Sequence, residues 1–373
     1  MTATAHINAI GTAVPPHQVH DAFVGFVRSS LQDSGHARLF DRMVARSGIE
    51  RRFSFIEPEV LPDGRITDRD RFYGLGDWPT TGERMIRYER DAPALALQAL
   101  RALSPDIAAE GVTHLVLASC TGFVAPGLDQ LLVAQAGIDP AVERTVVGFM
   151  GCYAAVNALR LAHHIVRSEP EARVLVVNIE LCTIHFQRTQ DLEKLLSMLL
   201  FGDGAAAALV TAEPRGIALT DFRCAAISGS GEAITWRIGD QGFDMHLDGQ
   251  VPNLIANALR SQRSSNDDGG LFRGVSPAHY DLWAVHAGGR TILDAVERAL
   301  DLPPEALHPS REVLRRFGNM SSATLMFVLA AMIDDWKSGS ANGGAHRAQG
   351  QGMAMAFGPG LAAETFRFRM APS

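Results

Sequence analysis

The feature that most constrains this chain is a repeated order of apolar strand, polar turn and helix, found once in each half. Residues 113–137 and 280–300 share this order, and so do residues 146–166 and 315–336. Both pairs are offset by about 167 residues. A period this long is not that of a solenoid, so it predicts an internal duplication with two similar units packed face to face.

The apolar segments predict the class of fold. Their near-continuous apolar composition is typical of strands covered on both faces. Such segments lie at 113–120, 144–149, 172–180, 204–212 and 352–358, and helical patterns lie at 91–103, 127–137 and 152–168. This alternation predicts a layered α/β fold with crossover connections. We expect the charged arm 50–92 to be irregular and to cover one face, and the polar stretches 261–270 and 338–352 to be surface loops.

The composition excludes several classes of function. The 373 residues are 47% hydrophobic and 20% charged, which is ordinary for a globular protein. The net charge is −7 and basic runs are lacking, so nucleic acid is not an expected partner. The sequence offers neither a signal peptide nor a membrane span. Four cysteines without metal or disulfide spacing indicate a reducing compartment, so we expect a cytoplasmic protein without a metal.

Cys152 lies where an apolar strand ends and an Ala-rich helix begins, in "TVVGFMGCYAAVNALRLA" (145–162). The free N–H groups and positive dipole at a helix start would stabilise a thiolate and lower the thiol pKa. The same amides could stabilise an oxyanion. A small cysteine packed against the sheet explains this stretch alone equally well.

The duplication favours the catalytic interpretation. The matching turns of the second half carry His286, in "WAVHAGG", and Asn319, in "FGNMSS". If the turns of both halves converge, a thiol, an imidazole and a carboxamide share one pocket. A single histidine on an apolar strand is usually a core residue, but three such residues at matched turns favour a catalytic site.

These motifs carry a resemblance to a known family. The chain resembles the type III polyketide synthases of the chalcone synthase family, which have a thiolase-like fold. The matching stretches are "INAIGTAVPP", "GCYAAVNALRLA", "ARVLVVNIEL", "LLFGDGAAAALV", "VHAGGRTILDAVE", "REVLRRFGNMSSATLMFVL" and "AFGPGLAAETFRF". The resemblance implies a five-layered αβαβα fold built from two duplicated halves, here 1–213 with the cysteine and 214–373 with the histidine and asparagine.

The resemblance also implies roles. Cys152 would accept a starter acyl group from coenzyme A (CoA), and His286 would keep its thiolate charged. With Asn319, His286 would donate hydrogen bonds to the thioester carbonyl and to the enolate that malonyl-CoA decarboxylation releases. Cyclisation to a pyrone or resorcinol would follow, in a homodimer that needs no cofactor beyond its CoA thioester substrates. A medium or long fatty acyl starter is favoured over an aromatic one.

Further positions match the family's binding residues. Phe201 corresponds to the phenylalanine that gates the CoA tunnel, and Arg42 and Arg46 correspond to the basic pair for the CoA phosphates. The remaining substrate-binding candidates are Cys120, Thr121, His185, Trp236, Met245, Gly358, Pro359 and Gly360. Trp236 stands where the family usually has a small residue, so its indole should close one route for the growing chain. Met245 stands where the family usually has a second phenylalanine, and its flexible thioether should make the cavity wall more adaptable.

Three alternatives stay open on the sequence. An initiating ketoacyl-carrier-protein synthase shares the Cys, His and Asn trio and performs one condensation. A non-catalytic acyl-binding homologue should lose one of the trio, and all three are present. A cysteine hydrolase would normally want a histidine positioned to deprotonate water, and it gives no reason for the arginine pair or the duplication.

Overall fold

The computed structural model describes residues 3–74, 76, 78–103, 111–263, 270–338 and 350–371. Its strands are β1 His6–Ala13, β2 His17–Gln18, β3 Phe53–Ser54, β4 Pro58–Val60, β5 Ile66–Asp68, β6 His114–Ser119, β7 Glu143–Gly148, β8 Val174–Leu181, β9 Asp203–Thr211, β10 Ile217–Ala226, β11 Ile234–Gly239, β12 Gly242–Leu247, β13 Leu282–Val285, β14 Gln351–Gly358 and β15 Ala362–Met370. Its helices are α1 His20–Ser30, α2 Ser34–Ser47, α3 Thr81–Leu103, α4 Leu128–Ala136, α5 Ala154–Ser168, α6 Leu192–Leu200, α7 Val251–Arg263, α8 Arg290–Leu300, α9 His308–Phe317 and α10 Ala323–Ser338.

The strand order confirms the duplication. Over the described ranges, nine strands hydrogen-bond in the order β13-β14-β15-β10-β1-β9-β8-β6-β7. In the first half, β1 is antiparallel to β9, β9 is antiparallel to β8, and β8 is parallel to β6. In the second half, β10, β15, β14 and β13 repeat that order and those directions. The two halves are joined where β1 pairs with β10.

Three apolar cores separate the layers. The α5 and α10 helices pack in the middle, against buried residues of both halves of the sheet. The α3 and α4 helices cover the outer face of the first half, and α7 and α8 cover the outer face of the second. With the two halves of the sheet as separate layers, the order is helix, sheet, helix, sheet and helix, which is the five-layered α/β fold that the family resemblance implies. The predicted division at 213/214 lies in the connection between β9 and β10 and stays a prediction.

The arm prediction is wrong over its last third. Helix α3 begins at Thr81, so residues 81–92 are helical and not irregular. This part of the helix was not predicted because Arg84 and Arg87 occupy core-facing positions, where they are fully or almost fully buried. Two charged residues on the buried face remove the apolar periodicity that marks an amphipathic helix.

Strand β7 is also unlike its prediction. Five of its six residues are exposed, and Val146 keeps 53% of its surface accessible. It is the outermost strand of the sheet, so one edge and much of one face have no cover among the described residues. The predicted loops 261–270 and 338–352 lie largely outside the described residues. Among those described, no helix is long and apolar enough to cross a membrane.

Candidate active site

Cys152 lies on a sharp turn between β7 and α5. The chain leaves β7 with Phe149 at φ +56° and Gly151 at φ +73°, two left-handed residues in three positions. A single 3-10 turn over Gly151–Tyr153 then leads into α5, with Cys152 half-buried at its centre. The turn therefore presents the thiol at the start of the helix, as the sequence predicts.

The "FGPG" segment is packed directly against this turn. A Cβ atom on Gly151 would lie 2.5 Å from Cδ of Pro359, and one on Gly358 would lie 2.6 Å from the Tyr153 ring. The Tyr153 hydroxyl donates a hydrogen bond to the Pro359 carbonyl at 3.1 Å. Glycine is therefore required at both positions, and the segment fixes the turn that carries Cys152.

His286 follows β13 and is held by its backbone. Its N–H donates to the Met355 carbonyl at 2.8 Å, and its carbonyl accepts from Gly288 N–H at 2.9 Å. The side chain is 2% exposed and lines the same cavity as Cys152. Neither ring nitrogen has a hydrogen-bond partner within the described part of the chain. Burial lowers the pKa of His286 to about 4, so its ring is neutral at pH 7.

Asn319 has a side chain of fixed orientation. Its Oδ1 accepts a hydrogen bond from Ser321 N–H at 2.8 Å, and its Nδ2 donates to the Gly288 carbonyl at 3.2 Å. The Gly288 carbonyl belongs to the turn after His286, so the two turns of the second half are joined by this bond. The Nδ2 group has a second hydrogen, and Asn319 lines the same cavity as Cys152 and His286. The three predicted catalytic residues therefore meet in one cavity.

The thiol pKa differs from the expectation. The start of a helix was expected to lower the pKa of Cys152, but burial raises it to about 11. Hydrogen bonds from Ser321 and Asn319 lower it, whereas the negative charge of Glu180 raises it further. Loss of water around the sulfur thus outweighs the stabilisation by its neighbours, and the thiol and the His286 imidazole are both neutral at pH 7.

Glu180 is a site residue that sequence reasoning missed. It is fully buried at the end of β8, and burial raises its pKa. Its carboxylate accepts hydrogen bonds from Cys120 N–H at 3.0 Å, from the Thr121 hydroxyl at 2.8 Å and from the Ser322 hydroxyl at 2.5 Å. These bonds tie the turn after β6 to the Asn319 turn. A glutamate within an otherwise apolar strand is the sequence signal that could have identified this residue.

An aromatic wall closes the cavity on the β11–β12 hairpin side. The His185 ring stacks on Phe243 with centroids 4.2 Å apart, and Trp236 lies edge-on to both. Trp236 Nε1 donates to the Cys120 carbonyl at 2.8 Å, and Met245 pairs with Trp236 across the hairpin. His185 and Trp236 thus occupy the positions expected of wall residues, and Phe243 was missed.

The opposite side of the cavity is an apolar lobe, which we call the arm lobe. The whole cavity has a volume of about 470 Å³. The arm lobe is lined by one face of α1, by α6 and by the segment 52–73, through Val19, Ala22, Phe23, Phe26, Ile56, Pro58, Ile66 and Leu196. Thr183 and Ser54, whose hydroxyl groups are 2.7 Å apart, line the same cavity as Cys182 and Cys152. The arm therefore shapes the site as well as covering it.

The remaining predicted residues divide into two groups. Cys120, Thr121, Phe201, Gly358, Pro359 and Arg46 line the cavity, whereas Gly360 and Arg42 do not. Arg42 and Arg46 are both exposed on α2, and Gly360 N–H donates to the Ile234 carbonyl at the base of the hairpin. Arg290, at the start of α8, lines the cavity and was missed by the sequence analysis.

Comparison with known proteins identifies the family of this chain. The family model for the N-terminal domain of chalcone and stilbene synthases matches residues 1–214, and the model for their C-terminal domain matches residues 222–372. The alpha-pyrone synthesis polyketide synthase-like Pks18 of Mycobacterium tuberculosis is 32% identical over 98% of this chain and 91% of its own length. Pks18 of Mycobacterium bovis matches with the same values.

Solved structures show the same fold. The type III polyketide synthase domain of Steely1 from Dictyostelium superposes with a TM-score of 0.84 at 23% identity, covering 99% of this chain and 100% of that domain. PKS-I from the brown alga Ectocarpus siliculosus superposes with a TM-score of 0.85 at 25% identity, covering 99% of each chain. The chain belongs to the chalcone and stilbene synthase family of type III polyketide synthases, which are acyltransferase-type condensing enzymes.

Proposed function

We propose that this enzyme loads a fatty acyl-CoA on Cys152 and extends it with malonyl-CoA to a pyrone- or resorcinol-type product. The observation that supports this proposal is that the Cys152 thiol, the unpartnered imidazole of His286 and the oriented amide of Asn319 meet in one mainly apolar cavity. Such an arrangement suits a reaction that builds negative charge on oxygen beside sulfur.

Loading begins with proton transfer from the Cys152 thiol to His286. A lone thiolate and a lone imidazolium are each disfavoured by burial, but transfer within the pair keeps the net charge at zero. The thiolate then attacks the thioester carbonyl of the starter. Asn319 Nδ2 and the imidazolium donate to the oxyanion. The intermediate then collapses with cleavage of its bond to the CoA sulfur, which takes the proton from the imidazolium and leaves as CoA, so the acyl group stays on Cys152 and His286 is neutral again.

Extension uses the same donors. Malonyl-CoA loses carbon dioxide, and the electron pair of the broken C–C bond forms an enolate whose oxygen accepts hydrogen bonds from His286 and Asn319. The enolate carbon attacks the thioester on Cys152, so a C–C bond forms and the sulfur leaves as thiolate. Donors that are fixed before reaction lower the barrier without reorganisation, which is why the orientation of Asn319 matters.

The arm lobe supports a fatty acyl starter. It is apolar and it continues from the chamber that contains the thiol, so an alkyl chain on Cys152 could be buried there. Arg46 and Arg290 lie along the same cavity, where guanidinium groups suit the CoA phosphates. Phe201 lines the same cavity, which fits its proposed role as a gate.

The exposed edge supports a homodimer. Strand β7 is the outermost strand, and Phe123, Val146 and Met150 beside it keep 45%, 53% and 36% of their surfaces exposed. An uncovered strand edge next to apolar side chains is a surface that a second copy of this chain would bury. The cytoplasmic location and the lack of a cofactor stay predictions from the sequence.

Mass spectrometry of the products tests this function. The enzyme is incubated with malonyl-CoA and acyl-CoA starters from two to sixteen carbons, with the Cys152→Ala variant as control. We expect pyrones or resorcinols from starters of about eight to twelve carbons, because the lobe contributes binding energy for each buried methylene. Turnover that requires acylated carrier protein would instead indicate a single-condensation enzyme, and CoA release unchanged in Cys152→Ala would indicate a non-catalytic homologue.

Two variants on α1 test the place of the alkyl chain. Ala22→Phe fills the arm lobe and should lower kcat/KM for dodecanoyl-CoA about 10- to 100-fold, with butyryl-CoA unaffected. Ser29→Phe adds the same ring on the exposed face of the helix and should change neither value. Equal values for all three proteins with dodecanoyl-CoA would place the chain elsewhere.

A further inference from the structure

We propose that Arg52 is a positioning residue that holds the Phe201 gate and the Asn319 donor in one fixed relation. Arg52 lies on none of the three turns that carry the proposed catalytic side chains, and it was not among the site residues predicted from the sequence. Its side chain is 2% exposed. Its Nη1 group donates to two carbonyl oxygens, that of Met198 at 3.0 Å and that of Phe201 at 2.7 Å.

The segment that Arg52 holds is bonded to the Asn319 backbone. Phe201 and Asn319 form a parallel β-bridge outside the main sheet. Asn319 N–H donates to the Leu200 carbonyl at 2.8 Å, and Gly202 N–H donates to the Asn319 carbonyl at 3.0 Å. Any displacement of residues 200–202 is therefore transmitted to Asn319, whose amide must be placed within a few tenths of an ångström to act as an oxyanion donor.

The stem of Arg52 fills the space between these two segments. A Cβ atom on Gly318 would lie 2.9 Å from Cγ of Arg52 and 2.7 Å from the Leu200 carbonyl oxygen. A Cβ atom on Gly202 would lie 2.7 Å from the Phe317 carbonyl oxygen. Gly318 also has φ +70°, which a side chain would strain. The two chain segments approach closely here, and Arg52 lies against both.

The charge of Arg52 is maintained at a cost. Burial lowers its pKa to about 9, so it is still protonated at pH 7, and the partly ionised Asp203, whose own pKa burial raises to about 7, opposes that shift. Its Nε donates to Nδ1 of His20 at 3.2 Å, and its guanidinium lies 4.6 Å from the centre of the Phe23 ring. Its Nη2 has no hydrogen-bond partner among the described residues. A buried charged group usually adds little to the net stability of the fold, because its desolvation offsets its attractive interactions. We therefore assign Arg52 a positioning role and not a stabilising one.

Arg84 provides a matched control for a buried arginine. It is fully buried, and it donates to the carbonyls of Pro79, Ile184 and Phe186. None of these carbonyls belongs to the Phe201 or Asn319 segments. Loss of Arg84 should therefore cost stability without changing the distance between the gate and the donor.

The test compares Arg52→Met, Arg52→Lys and Arg84→Met in the full chain. Malonyl-CoA decarboxylation gives kcat and KM, and iodoacetamide alkylation of Cys152 reports the thiol independently. For Arg52→Met we expect kcat to fall about 30-fold and alkylation to stay within about threefold, because the oxyanion donor moves and the thiol does not. Arg52→Lys should recover part of kcat, because an ammonium reaches one carbonyl where Nη1 reaches two. Arg84→Met should keep kcat within about threefold.

Each outcome decides the proposal. It is overturned if folded Arg52→Met keeps the wild-type kcat, or if Arg84→Met loses as much kcat at equal loss of thermal stability. If Arg52→Met does not fold, Arg52→Lys decides, because it keeps the stem and the charge: a fall of about fivefold supports the proposal and an unchanged kcat overturns it. The inference rests on the proposed role of Asn319, and that role fails separately if the wild-type enzyme does not decarboxylate malonyl-CoA.

Discussion

The two walls of the cavity occupy the same place in the two halves of the fold and differ in nearly everything else. In the first half, the chain between β1 and α3 forms α1, α2 and β2 to β5, which build the arm lobe. In the second half, the chain between β10 and α7 forms the β11–β12 hairpin, which builds the aromatic wall. Each insertion precedes the helix that leads to the second strand of its half.

The difference assigns chemistry and shape to separate parts of the chain. Cys152, His286 and Asn319 all lie on turns of the duplicated layers, where backbone hydrogen bonds hold them. The insertions supply the surfaces around the reacting atoms. The long insertion of the first half lines the apolar arm lobe, and the short hairpin of the second half forms the aromatic wall. We therefore expect changes in the duplicated layers to lower the rate with every substrate, and changes in the insertions to alter which substrates and products fit.

The largest effect is expected for Asn319→Ala. The amide is the oriented neutral donor in the chamber, so its removal should lower kcat about 10²- to 10³-fold, equally for butyryl-CoA and dodecanoyl-CoA. Steady-state kinetics with both starters measures this. The control is Asn157→Ala, whose amide donates to Glu364 away from the cavity and whose loss should change kcat less than about threefold. A loss that depends on starter length would contradict the division between chemistry and shape.

The duplicated layers and the positions of the turns that carry Cys152, His286 and Asn319 were predicted well from the sequence, because they depend on local patterns. Apolar strands, glycine-containing turns and the residues Cys152, His286 and Asn319 can be recognised from the sequence alone. The helical part of the arm was missed because Arg84 and Arg87 point inward, and the exposure of β7 was missed because edge position is set by the whole sheet. Glu180 and Phe243 were missed because their partners are distant in sequence, at Cys120, Ser322 and His185.

A smaller and more selective effect is expected for Trp236→Ala. Removal of the indole opens the aromatic wall, so the growing chain has room for one more two-carbon unit before it cyclises. We expect product mass to increase by that unit for about half of the product, with the preference among starters unchanged, as read by mass spectrometry. Ile238→Ala is the control, since that side chain lies on the same strand with 59% of its surface exposed. A change in starter preference with constant extension number would mean that the hairpin, and not the arm lobe, contacts the alkyl chain.

The smallest effect concerns stability of the aromatic wall in acid. Phe243 N–H donates to Nδ1 of His185 at 3.1 Å, so His185 Nε2 must carry the hydrogen that bonds the Thr121 carbonyl at 2.7 Å, and the ring is neutral. Burial lowers the pKa of His185 to about 3, below its value of 6.5 in an unfolded chain. The unfolded state therefore binds more protons between these two values, and the free energy of unfolding falls as pH falls through 6.5 towards 3.

From pH 7 to pH 5 this histidine alone should lower the free energy of unfolding by about 2 kcal/mol. His185→Gln removes this pH dependence. The difference in the free energy of unfolding between the variant and the wild type, measured by urea titration, should therefore narrow by about the same amount from pH 7 to pH 5. His246→Gln, at an exposed position on the same hairpin, is the control for the substitution itself. If the difference in the free energy of unfolding between His185→Gln and the wild type stays constant over this range, the His185 ring is not buried as a neutral base. The hairpin would then not form the closed aromatic wall that distinguishes it from the arm lobe.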